Sequence, residues 1–301
     1  MAAPAIELSG LSKTYRNGVQ AIRALDLRVE AGEVFGFLGP NGAGKSTTIR
    51  ILLDLIRATG GSAALLGLDS RRRGVEARRQ AGYLPGDLRL YDRLTAREQL
   101  DSLARLRGGV DARLRDELCE RFGVVLDRPI RQLSKGNRQK VGVVQAFMDR
   151  PQLVILDEPT SGLDPLLQAE FRELLRETAA DGRTVFLSSH SLDEVQHVAH
   201  RIAIIRAGRL VDVDSVERLR ERAVRHVTIA FAERVEPRAF EGLDGVRVEG
   251  SDDRSIRLSA PEPALDAIVK EAARHRVVDL VSQPADLEEI FLEFYEERDG
   301  G

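Results

Sequence analysis

The apolar positions along this chain change their period several times. From Ile6 to Leu11, and again at Leu25, Leu27 and Val29, they alternate with polar positions, which predicts two half-buried strands. Arg16-Asn17-Gly18 marks a turn between them. Val34-Phe35-Gly36-Phe37-Leu38 is a continuous apolar run, the pattern of a strand covered on both faces. A helical period follows from Thr48 to Ile56, with Gly60-Gly61 read as its end, and Ala63 to Leu68 as a short strand. Ala81 to Asp87, interrupted by Pro85 and Gly86, reads as a loop.

Thr95-Ala96-Arg97-Glu98 has the spacing of a capping box and predicts a helix through Leu106. Asp111 to Phe122 and Arg138 to Met148 predict two more, the first with Leu114 and Leu118 on one face and Cys119 beside them. Leu153-Val154-Ile155-Leu156 and Thr184 to Ser189 predict buried strands. Asp164-Pro165 supplies an N-cap and a proline at the first helical position, opening a helix to about Ala179. Ser191-Leu192-Asp193-Glu194 reads as a second capping box, with His197 and His200 on the surface of the helix behind it. Ile202 to Arg206 and Arg209 to Val213, joined by Ala207-Gly208, read as a hairpin. Beyond Asp214 strand patterns (His226 to Ala232, Val246 to Val248, Ile256 to Leu258, Val277 to Val281) alternate with helical ones (Ala264 to His275, Asp286 to Glu297), as in a small α+β domain.

Composition narrows the class. A chain of 301 residues holds one large or two modest domains. Its formal net charge of −3 offers no basic field for nucleic acid. Arg71-Arg72-Arg73 reads as a solvated face, with lipid headgroups or an acidic partner as the alternative. The single cysteine, Cys119, excludes an internal disulfide and fits a reducing compartment as a core residue. No apolar run reaches the roughly 18 residues of a membrane helix, and the first residues are too short and uncharged for a signal peptide. Any membrane role is therefore expected to run through a partner.

The chemistry centres on Gly39-Pro40-Asn41-Gly42-Ala43-Gly44-Lys45-Ser46-Thr47, placed between the apolar run and the helical period. Glycines let the backbone curl with its N–H groups inward, the lysine reaches outer phosphates and the Ser46 hydroxyl suits Mg²⁺. The helix behind adds free N–H groups and the positive end of its dipole. Asp157-Glu158 sits at the end of a buried strand pattern, where Asp157 would hold Mg²⁺ through water and Glu158 would polarise an attacking water. His190 ends the next strand pattern and is expected to face the same site. Ser134 and Gly136, at a helix start, form a second possible anion site or a plain N-cap. Tyr15 is either a packing aromatic or a platform for a base.

Taken in order, these motifs resemble the nucleotide-binding subunit of an ATP-binding-cassette transporter over about residues 5 to 214. Gly39 to Thr47 is similar to the Walker A loop, and Leu133-Ser134-Lys135-Gly136-Asn137 to the signature LSGGQ with two substitutions. Leu153 to Asp157 matches Walker B with Glu158 in the place of the general base. Ser161-Gly162-Leu163-Asp164 matches the D-loop and His190 the switch histidine. Tyr15 falls where the family stacks an aromatic on adenine. The resemblance implies an α/β P-loop NTPase cassette over residues 1–214, with a mixed sheet core, an antiparallel β subdomain and a helical subdomain at about 88–150 that carries the signature. Residues 215–301 would form a small C-terminal α+β accessory domain with a dimer-supporting or regulatory role.

The resemblance further implies ATP and Mg²⁺ as ligands and a head-to-tail homodimer of cassettes. Ser134 and Gly136 of one copy would bind the γ-phosphate held by Lys45 of the other, with Asp164 in the same composite site. The implied function is the ATP-hydrolysing, energy-coupling subunit of an exporter. It would sit on the cytoplasmic face of the plasma membrane, bound to a separate permease through residues 84–110 near Tyr83, Leu84, Leu90 and Tyr91. The tail Gln283 to Leu292 resembles ATPases of the daunorubicin-resistance and bacitracin-export type. A soluble cassette ATPase, or an ATP-binding regulatory module without transport, is the alternative. One departure stands out: the family's Gln after Gly82-Tyr83-Leu84-Pro85 is replaced by Gly86 followed by Asp87, leaving Asp87 or solvent to serve the metal.

Overall fold

The computed structural model describes residues 3–222 and 224–283. The chain forms two compact units, Met1–Asp214 and Ser215–Gly301.

In the first unit, β1 (Ile6–Thr14) and β2 (Gln20–Val29) pair antiparallel. Both outrun the predicted alternation, because register irregularities between Leu8 and Thr14 break the two-residue period while the pairing continues. β3 (Val34–Leu38) is buried at every residue. α1 (Lys45–Leu52) begins before the predicted Thr48 and ends at Leu52, just ahead of Asp54 with its positive φ of 53°. Gly60-Gly61 therefore does not terminate this helix; it opens β4 (Gly60–Leu65), which a turn at Leu66-Gly67 separates from β5 (Leu68–Asp69). These strands form an antiparallel sheet in the order β2-β1-β4-β5.

α2 (Gly74–Arg79) leads into β6 (Ala81–Leu84), so the stretch read as a loop is a strand. Its glycine serves packing and not a turn: a Cβ on Gly82 would lie 2.0 Å from the Ala146 carbonyl oxygen. α3 (Ala96–Leu106) carries the predicted capping box, with Thr95 and Glu98 each accepting from the other's backbone N–H. α4 (Ala112–Arg121) is capped by Asp111, and α5 (Lys135–Phe147) by Ser134, which starts it ahead of the predicted Arg138. β7 (Leu153–Asp157), α6 (Pro165–Ala180) and β8 (Thr184–Ser189) follow.

α7 (Leu192–Gln196) is one short turn of helix, and the second capping box is not formed. Ser191 makes no side-chain cap, its N–H donates to Ser189 Oγ, and the Glu194 carboxylate that would complete the box is held by Thr160 and Ser189. β9 (Arg201–Arg206) and β10 (Arg209–Ser215) are neighbours joined through Ala207-Gly208, both with positive φ as a tight hairpin turn requires.

The central sheet runs β10-β9-β3-β8-β7-β6, parallel from β9 to β6. Its register sets Leu38 beside Ser189 and Asp157 beside Ser188, so the loops leaving β3, β7 and β8 emerge together at one edge. Phe35, Phe37 and Phe186 stack beneath that edge, each fully buried.

In the second unit α8 (Val216–Arg222) precedes β11 (Val224–Phe231), α9 (Arg238–Glu241), β12 (Arg247–Ser251), β13 (Ser255–Pro261), α10 (Leu265–Ala272) and β14 (Val277–Gln283). The antiparallel order β12-β13-β11-β14 is the split βαβ arrangement. Phe231, Phe240, Leu258 and Ile268 form its core. α10 is shorter than the predicted Ala264 to His275, since Glu262–Ala264 forms a 3₁₀ turn ahead of it. The predicted helix at Asp286 to Glu297, and the tail motif from residue 284 onward, lie outside the described residues.

Candidate nucleotide site

Sequence places a glycine-rich segment directly after a fully buried strand, and the fold turns it into a cradle. Gly42 and Gly44 have φ of 82° and 112°, left-handed values that L side chains rarely adopt. At Gly44 the space is closed as well, because a Cβ there would lie 2.6 Å from the Ala21 carbonyl oxygen. Gly44 is also the N-cap of α1 and offers no side chain to the helix, so the first-turn N–H groups face the cleft without a side-chain cap. The cleft holds ≈ 180 Å³ and is lined by Pro40, Asn41, Gly42, Gly44, Lys45, Ser46, Thr47, Ala21 and Glu158. Gly39 and Ala43 lie behind it, their carbonyls bound by Lys45 and by the Gly208 N–H.

Lys45 is buried and spans the loop. Its ammonium donates to the carbonyls of Gly39 (2.6 Å) and Pro40 (3.3 Å) and lies 3.3 Å from Glu158 Oε1. That last contact is an ion pair without hydrogen-bond geometry, and Oε1 has no hydrogen-bond partner among the described residues. Glu158 Oε2 lies 2.7 Å from His190 Nδ1. The Glu158 backbone has φ of 51°, a strained conformation that costs on the order of 1–3 kcal/mol and persists only where the surroundings hold it. An acid, a lysine and an imidazole thus converge from three loops at the sheet edge. This arrangement can bind a polyphosphate and take a proton from a water beside it.

Asp157 is buried at the end of β7 and accepts from Ser188 Oγ at 2.6 Å. Among the described residues no group of three His, Cys, Asp or Glu side chains could hold a metal by itself. Ser46 and Asp157 beside a phosphate cradle nevertheless fit a magnesium ion, which binds through one or two carboxylates plus substrate phosphates. A Cβ on Gly86 would lie 3.2 Å from the Asp157 carbonyl oxygen and 3.5 Å from Oδ2. A side chain at position 86 would therefore project onto Asp157, and glycine leaves that face clear. Asp87 does not fill it: its carboxylate is exposed and pairs with Arg89 at 3.0 Å. The Tyr83 hydroxyl, half-buried, is pushed up to about 12 by burial first and the Asp157 charge second.

Tyr15 sits at the margin, its hydroxyl 3.2 Å from Thr47 Oγ1 and the Lys13 ammonium 5.2 Å from its ring centre. Ser134, Gly136 and Asp164 are absent from the cleft lining. Ser134 caps α5 by accepting from Asn137 N–H, and Asp164 caps α6 by accepting from Leu167 N–H. The loops before these helices touch, with Lys135 Nζ donating to Ser161 Oγ at 3.0 Å. His197 and His200 are exposed; His200 Nδ1 accepts from Val34 N–H.

Sequence reading missed one residue next to this site. Glu194 accepts from Thr160 Oγ1 (2.6 Å) and from Ser189 Oγ (2.7 Å), and Ser189 Oγ also accepts from Ser191 N–H. One carboxylate therefore clamps the loop carrying Glu158 to the strand end carrying His190. Two serines closing an otherwise apolar strand were the available signal, but the capping-box spacing absorbed Glu194.

The fold and cleft define a P-loop ATPase. Residues 22–161 match the ABC transporter family. The chain is 35% identical over 302 residues to the daunorubicin/doxorubicin resistance ATP-binding protein DrrA of Streptomyces peucetius, covering 96% of this chain and 91% of that protein. It is 41% identical over 222 residues to an uncharacterized ABC transporter ATP-binding protein, sll0415, of Synechocystis, covering 69% of this chain but only 62% of that longer protein. A solved dimeric post-hydrolysis state of the cassette MJ0796, bound to ADP and Pi, superposes with a TM-score of 0.65 at 25% identity over 70% of this chain and 98% of that one. The chain belongs to the ATP-binding proteins of ABC transporters. It is an ATPase subunit of that family.

Proposed function

We propose that this chain is the energy-coupling ATPase of a drug or antibiotic exporter, acting as a head-to-tail pair beneath a separate membrane permease. The observation that carries the reading is the incompleteness of the site within one chain. The cradle presents Lys45, Ser46 and Glu158, while Ser134 and Gly136 lie outside its lining at the start of another helix. A second copy brings its own Ser134 and Gly136 to the γ-phosphate, so ATP joins the pair and hydrolysis releases it. The dimeric MJ0796 cassette with ADP and Pi, and the DrrA relative matched over nearly its whole length, support this reading.

Each residue then has a task. Lys45 and the loop N–H groups hold the β- and γ-phosphates, and Tyr15 lies beside the adenine. Glu158 accepts the proton of the attacking water, while His190 holds its other oxygen in place. Ser46 and Asp157 would hold Mg²⁺, which offsets phosphate charge when bound. No helix among the described residues is long and apolar enough to cross a membrane, and in this reading the permease supplies the membrane passage. Its docking face centres on exposed Tyr91 with Leu90; Leu84 is fully buried and Tyr83 half-buried, so neither forms that face. Purification of the tagged chain from detergent-solubilised membranes tests the assignment. Recovery of a polytopic membrane protein in fixed ratio is expected; recovery with ribosomes, or of the chain alone, overturns it.

A further inference from the structure

A second, larger cleft lies in the same unit and has no part in the chemistry above. It holds ≈ 380 Å³, within the roughly 300–1,000 Å³ typical of small-molecule sites. The loop after α1, the start of β4 and the turn after β5 enclose it. Three arginines, Arg57, Arg71 and Arg72, and two acids, Asp54 and Asp69, are among the residues that line it. Both carboxylates are already engaged. Asp69 Oδ1 accepts the backbone N–H groups of Arg71 (2.9 Å) and Arg72 (2.7 Å), while Asp54 lies 3.9 Å from both Arg57 and Arg78.

The guanidinium groups of Arg71 and Arg72, by contrast, are exposed and have neither an ion pair nor a hydrogen bond among the described residues. Ser70, also in the lining, is 4% exposed, and its hydroxyl has no hydrogen-bond partner among the described residues. A buried hydroxyl left unpaired is costly, which marks it as a group waiting for a partner. Two free guanidinium forks, an unpaired hydroxyl and a pocket too small for a macromolecule share one complement: a compact oxyanion that accepts several charge-assisted hydrogen bonds.

We propose that this cleft binds a phosphate monoester, with Arg71 and Arg72 gripping the phosphate and Ser70 Oγ donating to it. Such a group comes either on a soluble molecule or on an anionic lipid headgroup, and the experiment has an arm for each. The full-length protein, its nucleotide site saturated with a non-hydrolysable ATP analogue, is titrated calorimetrically with glycerol 3-phosphate. In parallel it is sedimented with phosphatidylcholine vesicles with and without phosphatidate.

Binding in the first arm alone assigns a soluble phosphoester, and binding in the second alone assigns a headgroup. In either case Arg71→Ala/Arg72→Ala is expected to weaken binding about tenfold or more, as expected for charge-assisted contacts. Ser70→Ala, a near-isosteric change that keeps the fold, is expected to weaken it several-fold. ATPase activity without the ligand stays unchanged in both variants. No saturable binding in either arm overturns the proposal, as does binding that the arginine and serine variants leave at the wild-type affinity.

Discussion

Replacing Glu194 by alanine tests whether the clamp between the Glu158 loop and the His190 strand end matters to catalysis. The change deletes two hydrogen bonds to a carboxylate, at 2.6 and 2.7 Å. Hydrogen bonds to charged groups contribute about 1.5–3 kcal/mol each. Thr160 is half-buried, so its freed hydroxyl regains water and the lower end applies, whereas Ser189 is fully buried and its freed hydroxyl is left without an acceptor, where the upper end applies. The expected loss of stability is about 4–5 kcal/mol, read as a lower urea midpoint at unchanged slope. The catalytic effect is separate. Glu158 and His190 meet at 2.7 Å across the two clamped segments, and loosening them by about 1.4 kcal/mol at the barrier lowers kcat about tenfold. KM for ATP stays near the wild-type value, since Glu194 is absent from the cleft lining. Glu194→Gln keeps both contacts, its amide oxygen accepting from one hydroxyl and its N–H donating to the other, and recovers most of kcat. An alanine variant that loses stability but keeps kcat within twofold refutes the clamp, as does a glutamine variant no better than alanine.

Glu158→Gln is expected to lower kcat by about 100-fold or more, in line with removal of a general base, while leaving ATP affinity intact; steady-state and equilibrium-binding measurements separate the two. Lys45→Ala removes the buried cation that spans the loop, and nucleotide binding at millimolar concentration should disappear in calorimetry while the melting temperature shows the fold retained. Burial holds the Asp149 carboxyl above its usual range, against the pull of the Arg107 guanidinium. The native chain therefore keeps that proton to higher pH than the unfolded chain, so this group's contribution to stability falls as pH rises from the ordinary carboxylate range to the raised value. Asp149→Asn should flatten that part of a urea-stability profile; an unchanged slope contradicts it. Cys119 is buried and its thiol is pushed up by desolvation, so alkylation of the native protein should be slow and should accelerate on unfolding, as a thiol-reactive dye would report.

Much of the architecture could be read from local pattern. The runs at Val34–Leu38, Leu153–Asp157 and Thr184–Ser189 need only be apolar throughout to mark strands covered on both faces. Thr95, Asp111 and Asp164 cap the helices they were read to open, because a cap is a bond between neighbours in sequence. Ala81–Leu84 failed as a strand for the opposite reason. It holds its shape by parallel pairing with β7, some 70 residues away, and its glycine answers to the approach of α5.

The site divides along the same line. Sequence alone determined the phosphate loop, the acidic pair after a buried strand and the histidine after the next, because residue type and spacing carry that chemistry. Tertiary structure alone decided that Glu158 adopts a strained backbone between Lys45 and His190 and that Glu194 ties the Glu158 loop to the strand end before His190. It also decided that the face of Asp157 beside Gly86 stays clear while Asp87 turns to Arg89. Hydrophobic period and motif spacing report interactions within a few residues. Apart from the local Asp87–Arg89 pair, each of these contacts joins segments that meet only because parallel strands bring their loops to one edge of the sheet.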